Sequence, residues 1–315
     1  MLFNSFNFLI FFPVVIILYY AIPYRYRWIM LLAASLYSYA CWKLEYVLLI
    51  IFSLSVDYFN GYMMGKTSEK KKKRKFLILS LGINLGILFA FKYFNFFNDS
   101  LRELFNQFNI FYGIPEFKIL LPMGISFYTF QSASYVIDVY RGKIEPTKHY
   151  GKYALFVTFF PLVISGPIER AGRLLPQFDW NNKLNVQNLT DGLKLMLWGF
   201  FKKMVIADRL VLFVNPIFTN PADYSGLSVI IAVYFFTFQI YCDFSGYSDI
   251  AVGAARVMGY NVIYNFNRPY FARNITDFWR RWHIALSTWF RDYLYISLGG
   301  NKVKKIRHLF NLGVT

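Results

Sequence analysis

Residues Tyr46 to Met64 have the sequence YVLLIIFSLSVDYFNGYMM, which contains a single charged side chain, Asp57. The unbroken basic run Lys70–Lys75 follows, and a second apolar stretch, Phe76–Phe91, begins directly after it. A helix needs about 20 predominantly apolar residues to cross the roughly 30 Å of hydrocarbon in a bilayer. The two stretches therefore predict a pair of membrane-crossing helices joined by a basic loop.

The rest of the chain has the same character. Further stretches with almost no charge are Phe6–Ile22, Trp28–Cys41 and Leu227–Tyr241. Only 16% of the 315 residues are charged and 57% are hydrophobic, whereas an average soluble domain is about 25% charged. The sequence predicts an all-α, polytopic membrane protein with short re-entrant and amphipathic helices beside its spans. Residues 1–315 are expected to form a single integral-membrane domain.

The formal net charge of +17 would suggest nucleic-acid binding in a soluble protein. In a membrane protein, basic residues instead collect in cytoplasmic loops. We therefore expect Lys70–Lys75 to be cytoplasmic, together with Arg25 and Arg27, and the N-terminus to be extracytoplasmic. Membrane lipid, and not nucleic acid, is the expected partner. The basic run is expected to be solvated, with contact to anionic lipid head groups as the alternative.

The middle of the chain departs from simple spans. Lys92–Lys118 is predicted to be an external segment that contains an interfacial, phenylalanine-rich helix. Leu120–Tyr140 would return to the cytoplasmic side. Tyr153–Ile164 is too short to cross a bilayer and suits a re-entrant element. Leu193–Val214 is apolar but carries charged residues, among them Lys202, Lys203, Asp208 and Arg209, which predicts an amphipathic helix or one that faces a wet cavity.

Ionisable residues are densest, in apolar surroundings, within Tyr241–Gly300. Inside this stretch, Ile275–Ser297 has the apolar spacing of one helix, with Asn274 as its N-cap and two glycines after its end. On such a helix His283 shares a face with bulky aromatic side chains. An imidazole that lines a cavity can take a proton from an alcohol, so His283 is the candidate catalytic residue. A histidine bonded within a helix bundle is an equally weighted alternative.

Other polar residues favour structural roles. Their spacing predicts the ion pairs Asp138–Arg141 and Asp277–Arg281. Asp57 lies either at a hydrated helix end or in a polar contact inside the bundle. The two cysteines, Cys41 and Cys242, are expected to be packing residues. The other two histidines, His149 and His308, are expected to be solvated. No pair of them has the spacing of metal ligands, so no metal site is predicted.

Four motifs, in order along the chain, resemble those of the membrane-bound O-acyltransferases. They are MGISFYTFQ at Met123–Gln131, FPLVISGPIER at Phe160–Arg170, DFSGYSD at Asp243–Asp249 and FWRRWHIALSTWFRD at Phe278–Asp292. The resemblance extends over nearly the whole chain. The bacterial alginate O-acetylase branch is the most similar, and the teichoic-acid D-alanyl transfer proteins are more distantly similar.

This resemblance implies a helical, funnel-shaped membrane enzyme without a bound cofactor. It would take an acyl group from acetyl-CoA or another cytoplasmic acyl thioester and pass it outward. An extracytoplasmic acetyltransferase partner would then complete O-acylation of a polysaccharide. His283 matches a histidine in the family's tryptophan-rich motif, which implies a catalytic role. The residues expected to line its cavity are Trp279, Arg280, Trp282, Ser287, Trp289, Arg291 and Asp249.

The family's second histidine, in a tryptophan-histidine-glycine motif, is not reached before Thr315. The chain is therefore expected to be the N-terminal portion of a longer acyltransferase. Two other functions are compatible with the residues alone. One is a transporter or flippase in which Asp249, Arg280 and Arg291 line a substrate path, and the other is an inactive, truncated scaffold.

Overall fold

A computed structural model describes residues 1–108, 110–115 and 120–315. Every regular element within these ranges is helical, which confirms the predicted all-α class. The α-helices are α1 (Phe6–Ala21), α2 (Arg27–Ala40), α3 (Leu44–Lys66), α4 (Lys70–Leu88), α5 (Phe94–Gln107), α6 (Ile125–Tyr140), α7 (Tyr150–Thr158), α8 (Ala171–Leu174), α9 (Val186–Phe200), α10 (Asp208–Thr219), α11 (Gly226–Val257), α12 (Ile275–Arg281), α13 (Ile284–Phe290) and α14 (Lys305–Val314). Three π-helical segments continue α4, α9 and α13: Phe89–Tyr93, Phe201–Ala207 and Arg291–Tyr295. Short 3₁₀ turns lie at Tyr24–Tyr26, Leu175–Asp179, Pro221–Asp223 and Pro269–Phe271.

Three helices are long and apolar enough to cross a bilayer: α3, the continuous helix Lys70–Gln107, and α11. The second of these extends further than the sequence predicts. No glycine or proline interrupts Phe89–Gln107, so the chain passes through a π-helical turn and continues as α5. The predicted start of the external segment, Lys92, therefore lies within a helix that continues the span. Its predicted end, Lys118, lies outside the described residues.

Two shorter helices lie inside the bundle. Helix α6 begins only at Ile125, because Gly124 before it has the left-handed φ of 68°. A Cβ at Gly124 would lie 2.0 Å from the carbonyl oxygen of Val163, so this close approach requires glycine. Helix α7 has nine residues, of which Tyr153 to Thr158 are buried. As predicted for this stretch, it is too short to cross a bilayer.

Helices α9 and α11 pack backbone against backbone at two glycine pairs. Gly192 faces Gly253, and Gly199 faces Gly246. A Cβ added at Gly199 would lie 2.6 Å from the carbonyl oxygen of Gly246. Small residues allow such close approach and are a common basis of helix association in membranes. The two pairs thus fix the position of α11 against α9.

Paired charges reinforce the same contact. The buried Lys202 Nζ lies 2.6 Å from the carboxylate of Asp249 on α11, and Lys203 Nζ lies 2.5 Å from that of Asp243. Burying a charge is tolerable when it is paired. Lys202 and Lys203 therefore turn to carboxylates of α11 and not to a wet cavity, which supports the amphipathic alternative.

Asp57 joins three helices. Its side chain is buried on α3 and accepts hydrogen bonds from Ser80 and Asn84 of α4 and from Ser132 of α6. A buried carboxylate needs several such donors to offset its desolvation. Of the two predictions for Asp57, the polar contact inside the bundle is confirmed.

Residues 260–267, which we call the connecting segment, join α11 to the 3₁₀ turn before α12 without helical structure. Side chains supply the partners that a helix would have provided. Gln177 donates to the carbonyl oxygen of Asn261 at 2.9 Å and accepts from its N–H at 2.8 Å. Two residues further on, the N–H of Ile263 donates to the fully buried carboxylate of Glu169. Non-helical backbone persists in an apolar interior only when its polar groups are satisfied in this way.

We expect Gly199→Ala to lower the melting temperature of the purified protein in detergent. Its methyl group would clash with the backbone of α11, and such overpacking typically costs about 1–3 kcal/mol. The control is Gly82→Ala on α4, where an added Cβ meets nothing within 4 Å. Alanine is the better helix former, so this variant should be neutral or slightly stabilised. Equal melting temperatures for the two variants would contradict the close packing.

Substitutions at Glu169 test the support of the connecting segment. Glu169→Gln keeps an oxygen that accepts from the Ile263 N–H, whereas Glu169→Leu leaves that N–H unpaired, at a cost of about 1–3 kcal/mol. We expect the leucine variant to melt at a lower temperature and to be cleaved faster by protease near Ile263. Indistinguishable behaviour of the two variants would show that the side chain does not support the segment.

Candidate active site

His283 interrupts the helix that the sequence predicts at Ile275–Ser297. Helix α12 ends at Arg281 and α13 begins at Ile284, and His283 between them has a left-handed φ of 41°. The prediction of one continuous helix is therefore wrong. Left-handed backbone at a residue other than glycine is costly, and such positions cluster at functional sites.

The connecting segment stabilises this break. The carbonyl oxygen of Asn265 accepts from the N–H of Ile284 at 2.8 Å, and the N–H of Asn267 donates to the carbonyl oxygen of Arg281 at 2.9 Å. The side chain of Asn265 also reaches the histidine, with its Oδ1 3.4 Å from Nδ1 of His283. The chain on both sides of His283 is thus held by one neighbouring segment.

Aromatic rings surround the imidazole. The ring of Phe244 on α11 meets it edge-on at 4.6 Å between centroids, and Phe266 lies nearly parallel to it at 6.5 Å. Phe127 of α6 lies at 6.4 Å. His283 lies outside the three candidate spans, and its burial among these rings lowers its pKa to about 4. At neutral pH the imidazole is therefore uncharged and able to accept a proton.

His283 lines a cavity of about 290 Å³. The other lining residues are Leu88, Lys92, Tyr93, Ser126, Phe127, Phe130, Ile168, Leu286 and Phe290. The lining is mainly apolar, with a few polar groups among the rings, which is typical of sites for small molecules.

Lys92 is the functional candidate that the sequence prediction missed. Its Nζ donates to Ser126 Oγ at 3.2 Å, so its cation lies on the wall of the cavity that contains His283. Two signals could have identified it: a single lysine within the aromatic stretch Phe89–Phe97, and the continuity of that stretch with the preceding span. π-Helical turns such as Phe89–Tyr93 also occur frequently at functional sites.

None of the other predicted cavity residues is among those that line the cavity. Three of them point away from it. Trp279 is 55% exposed, because the break at His283 turns α12 away from α13. Arg280 lines a separate surface pocket together with Arg273. Arg291 is exposed and pairs with Asp292 at 2.8 Å.

The other four predicted residues support the walls or neighbouring helices. Trp282 packs on Phe266 at 5.1 Å, and Ser287 Oγ donates to the carbonyl oxygen of Trp282 at 3.3 Å. Trp289 Nε1 donates to the carbonyl oxygen of Phe130, a lining residue, at 2.9 Å. Asp249 lies at the contact between α9 and α11, as described above. The predicted residues therefore lie around or beyond the cavity of His283 and do not line it.

The predicted ion pairs have different outcomes. Arg281 Nε lies 2.9 Å from Asp277, as expected from their spacing, and Asn274 caps α12 by accepting from the N–H of Asp277 at 2.8 Å. The prediction of an ion pair between Asp138 and Arg141 is wrong. Asp138 accepts from the hydroxyl of Tyr293 at 2.6 Å, while Arg141 donates to the carbonyl oxygen of Asp292 at 3.0 Å. Local spacing could not anticipate these contacts with the C-terminal part of the chain.

The remaining cysteines and histidines lie away from the cavity. Cys242 is buried, but Cys41 is exposed, which corrects its prediction as a packing residue. His149 is exposed, and its side chain accepts from the N–H of Lys152 at the start of α7. His308 bonds the hydroxyl of Tyr295 at 3.0 Å, so it is not simply solvated. Among the described residues, no group of three histidine, cysteine or acidic side chains could hold a metal ion.

A neutral imidazole and a cation on the walls of one small cavity form a coherent chemical arrangement. The imidazole can withdraw a proton from a hydroxyl group, which makes that oxygen nucleophilic. A positive charge nearby stabilises negative charge that develops on a carbonyl oxygen under attack. The geometry is suited to transfer of an acyl group to an alcohol.

The chain is similar to several known proteins. The chain is 42% identical over its full length to a protein named probable alginate O-acetylase AlgI from Pseudomonas aeruginosa, of which it covers 60%. It is 37% identical, over 88% of its length, to the peptidoglycan O-acetyltransferase of Helicobacter pylori, of which it covers 56%. A teichoic acid D-alanyltransferase from Bacillus subtilis is 31% identical over 58% of the chain and is covered to 47%.

The chain thus spans roughly half to three fifths of the length of these relatives. A sequence profile of the MBOAT, membrane-bound O-acyltransferase, family matches residues 145–315, which include His283 and the connecting segment. The match takes in more than half of the chain, and the helices described above agree with a membrane protein. The chain belongs to the membrane-bound O-acyltransferase family.

Proposed function

We propose that residues 1–315 form a single integral-membrane domain, the N-terminal portion of a membrane O-acyltransferase. The enzyme transfers an acyl group from a cytoplasmic thioester toward a hydroxyl of an extracytoplasmic polysaccharide. The observation that carries this proposal is the buried, neutral imidazole of His283, which shares a small cavity with the cation of Lys92. The names of the relatives, which modify alginate, peptidoglycan and teichoic acid, support the class of acceptor.

We propose that the acyl group is acetyl. The volume of the cavity, about 290 Å³, is at the lower limit of the roughly 300–1,000 Å³ of most small-molecule sites, which supports a short acyl group. The two relatives that match most of the chain are both named for O-acetyl transfer. We therefore propose acetyl-CoA, or another short acyl thioester, as the donor.

In the proposed reaction, His283 takes the proton of the acceptor hydroxyl while its oxygen attacks the thioester carbonyl carbon. A C–O bond forms, the C–S bond breaks, and the leaving thiolate takes the proton from the imidazolium. Lys92 stabilises the negative charge on the carbonyl oxygen during attack. No bound cofactor takes part. An extracytoplasmic acetyltransferase partner then transfers the acyl group from the new ester to a hydroxyl of the polymer.

The proposed orientation indicates the side of the membrane on which the cavity lies. With Lys70–Lys75 cytoplasmic and the N-terminus extracytoplasmic, α4 runs outward. Lys92 lies 17 residues after Lys75 on one continuous helix, which is roughly 26 Å at 1.5 Å per residue. The cavity would then lie toward the extracytoplasmic side, where the acceptor is.

Cys41 provides a native probe of this orientation. It is exposed between α2 and α3 and should face the extracytoplasmic side, whereas Cys242 is buried. A membrane-impermeant maleimide should label Cys41 in sealed, right-side-out vesicles. In a Cys41→Ser background, Lys72→Cys should be labelled only after permeabilisation. Labelling in the opposite order would overturn the orientation.

We expect His283→Ala in the full-length protein to leave folded protein in the membrane and to reduce O-acetylation of the surface glycan by about 10²- to 10⁴-fold, the usual contribution of a general base. His149→Ala is the matched control, because this exposed histidine lies outside the cavity. The measurement is release of free CoA from labelled acetyl-CoA together with the acetyl content of the glycan. Unchanged acetylation in the His283 variant would refute its role.

The same assay separates the enzyme from a transporter, which would release no CoA. A transporter in which Asp249, Arg280 and Arg291 line a path finds no support in the structure. Asp249 is paired with Lys202, and neither arginine lines the cavity that contains His283.

A further inference from the structure

One edge of His283 meets a buried amide. Asn265 is 1% exposed, is not among the lining residues, and places its Oδ1 3.4 Å from His283 Nδ1. The two nitrogens of an imidazole lie on opposite sides of the ring. Contact of Nδ1 with Asn265 therefore leaves Nε2 as the nitrogen available to the cavity.

We propose that Asn265 is the positioning residue of His283: its Oδ1 accepts a hydrogen bond from Nδ1–H and so keeps Nε2 unprotonated toward the cavity. The partner of one ring nitrogen selects the tautomer and orients the ring, and with it the nitrogen that can act as a base. This inference rests on the proposed function only where it concerns the rate of acyl transfer. The position of the proton is a property of the protein itself.

The backbone around Asn265 makes it suited to this role. Its carbonyl oxygen accepts from the N–H of Ile284, the residue after the histidine, at 2.8 Å. The connecting segment that carries Asn265 is itself held by Gln177 and Glu169. The amide and the imidazole are therefore fixed relative to each other through the main chain, and the left-handed backbone of His283 aims the ring.

The side-chain amide of Asn265 also has an unpaired donor. Its Nδ2 is buried and has no hydrogen-bond partner among the described residues. Turning the amide over would direct Nδ2 at Nδ1 and place the imidazole proton on Nε2, where it would block proton acceptance. The two orientations of the amide therefore predict opposite tautomers, and this makes the proposal decidable by experiment.

The groups that face the imidazole are mostly uncharged. Phe127 of α6, Phe244 of α11 and Phe266 of the connecting segment present rings to it. The titratable side chains that share its cavity, within the part of the chain that the structure describes, are Lys92 and Tyr93.

The charged groups on neighbouring helices already have partners. On α12, Arg281 is paired with Asp277. On α11, Asp243 and Asp249 are paired with lysines. A carboxylate at position 265 would thus be the negative charge in direct contact with the ring.

The first test is spectroscopic and needs no catalysis. Full-length protein with ¹⁵N-labelled histidine is compared with its His283→Ala variant, so that the His283 ring signals are identified by their loss. The ¹⁵N shifts of the two ring nitrogens show which one carries the proton. We expect Nδ1–H in the wild-type protein and in Asn265→Asp, and loss of that preference in Asn265→Leu. A wild-type proton on Nε2 would overturn the proposal.

The second test is kinetic and uses the same pair of nearly isosteric variants. Asn265→Leu should lower kcat by at least about 10-fold, as loss of a histidine's orienting partner usually does, with KM for the thioester little changed. Asn265→Asp keeps an acceptor and adds a negative charge, which stabilises the imidazolium. It should stay active, and the acid limb of its pH–rate profile should move to higher pH by about 1–3 pH units.

A purely structural role predicts a different result. In that case both variants would lose folded protein in proportion to lost activity, and the folded fraction of Asn265→Asp would keep the wild-type pH profile. That outcome would overturn the positioning role. If instead His283→Ala retained full activity, the proposed function would fail, while the spectroscopic result would still decide whether Asn265 selects the tautomer.

Discussion

Polar backbone groups that leave a helix inside an apolar bundle must find new partners, and the site depends on how this chain provides them. The connecting segment has no helical bonds of its own, so Gln177 donates to and accepts from the backbone of Asn261, and Glu169 accepts from the N–H of Ile263. With these partners in place, the segment can run beside α12 and α13, where it accepts from the N–H of Ile284 and donates to the carbonyl oxygen of Arg281. The break that leaves one edge of His283 open persists because the backbone groups it releases are hydrogen-bonded to the connecting segment.

The walls of the cavity are held by contacts of a different kind. Phe244 belongs to α11, whose position is set by glycine pairs and buried ion pairs with α9 and the segment after it. Phe127 belongs to α6, which is tied to α3 by the bond from Ser132 to Asp57. The apolar rings around the imidazole are therefore supported by polar or small-residue contacts elsewhere on the same helices. In lipid, where apolar surface gives helices little reason to associate, such contacts determine how they pack.

The sequence predicted the helical class, the main spans and the N-cap at Asn274. It did not predict that the helix around His283 breaks, because apolar spacing along Ile275–Ser297 continues through the break and the partners that permit it lie far away in the sequence. The error moved the predicted cavity residues to the wrong faces, Trp279 most clearly. Lys92 was missed for a related reason. A lysine after an apolar stretch indicates the end of a span, and only the continued helix places it beside His283.

Charged groups in a membrane bundle serve either to brace it or to react, and their partners distinguish the two roles. Lys202, Lys203 and Arg281 each lie within 3 Å of a carboxylate, which leaves them little freedom to act on a substrate. Lys92 donates to the neutral hydroxyl of Ser126, and His283 contacts the amide of Asn265 and uncharged aromatic rings. These two residues have weak neutral partners on one side and open space on the other. Charge compensated by carboxylates stabilises the bundle, whereas the imidazole and the ammonium group at the cavity retain the capacity to exchange a proton and to stabilise an oxyanion.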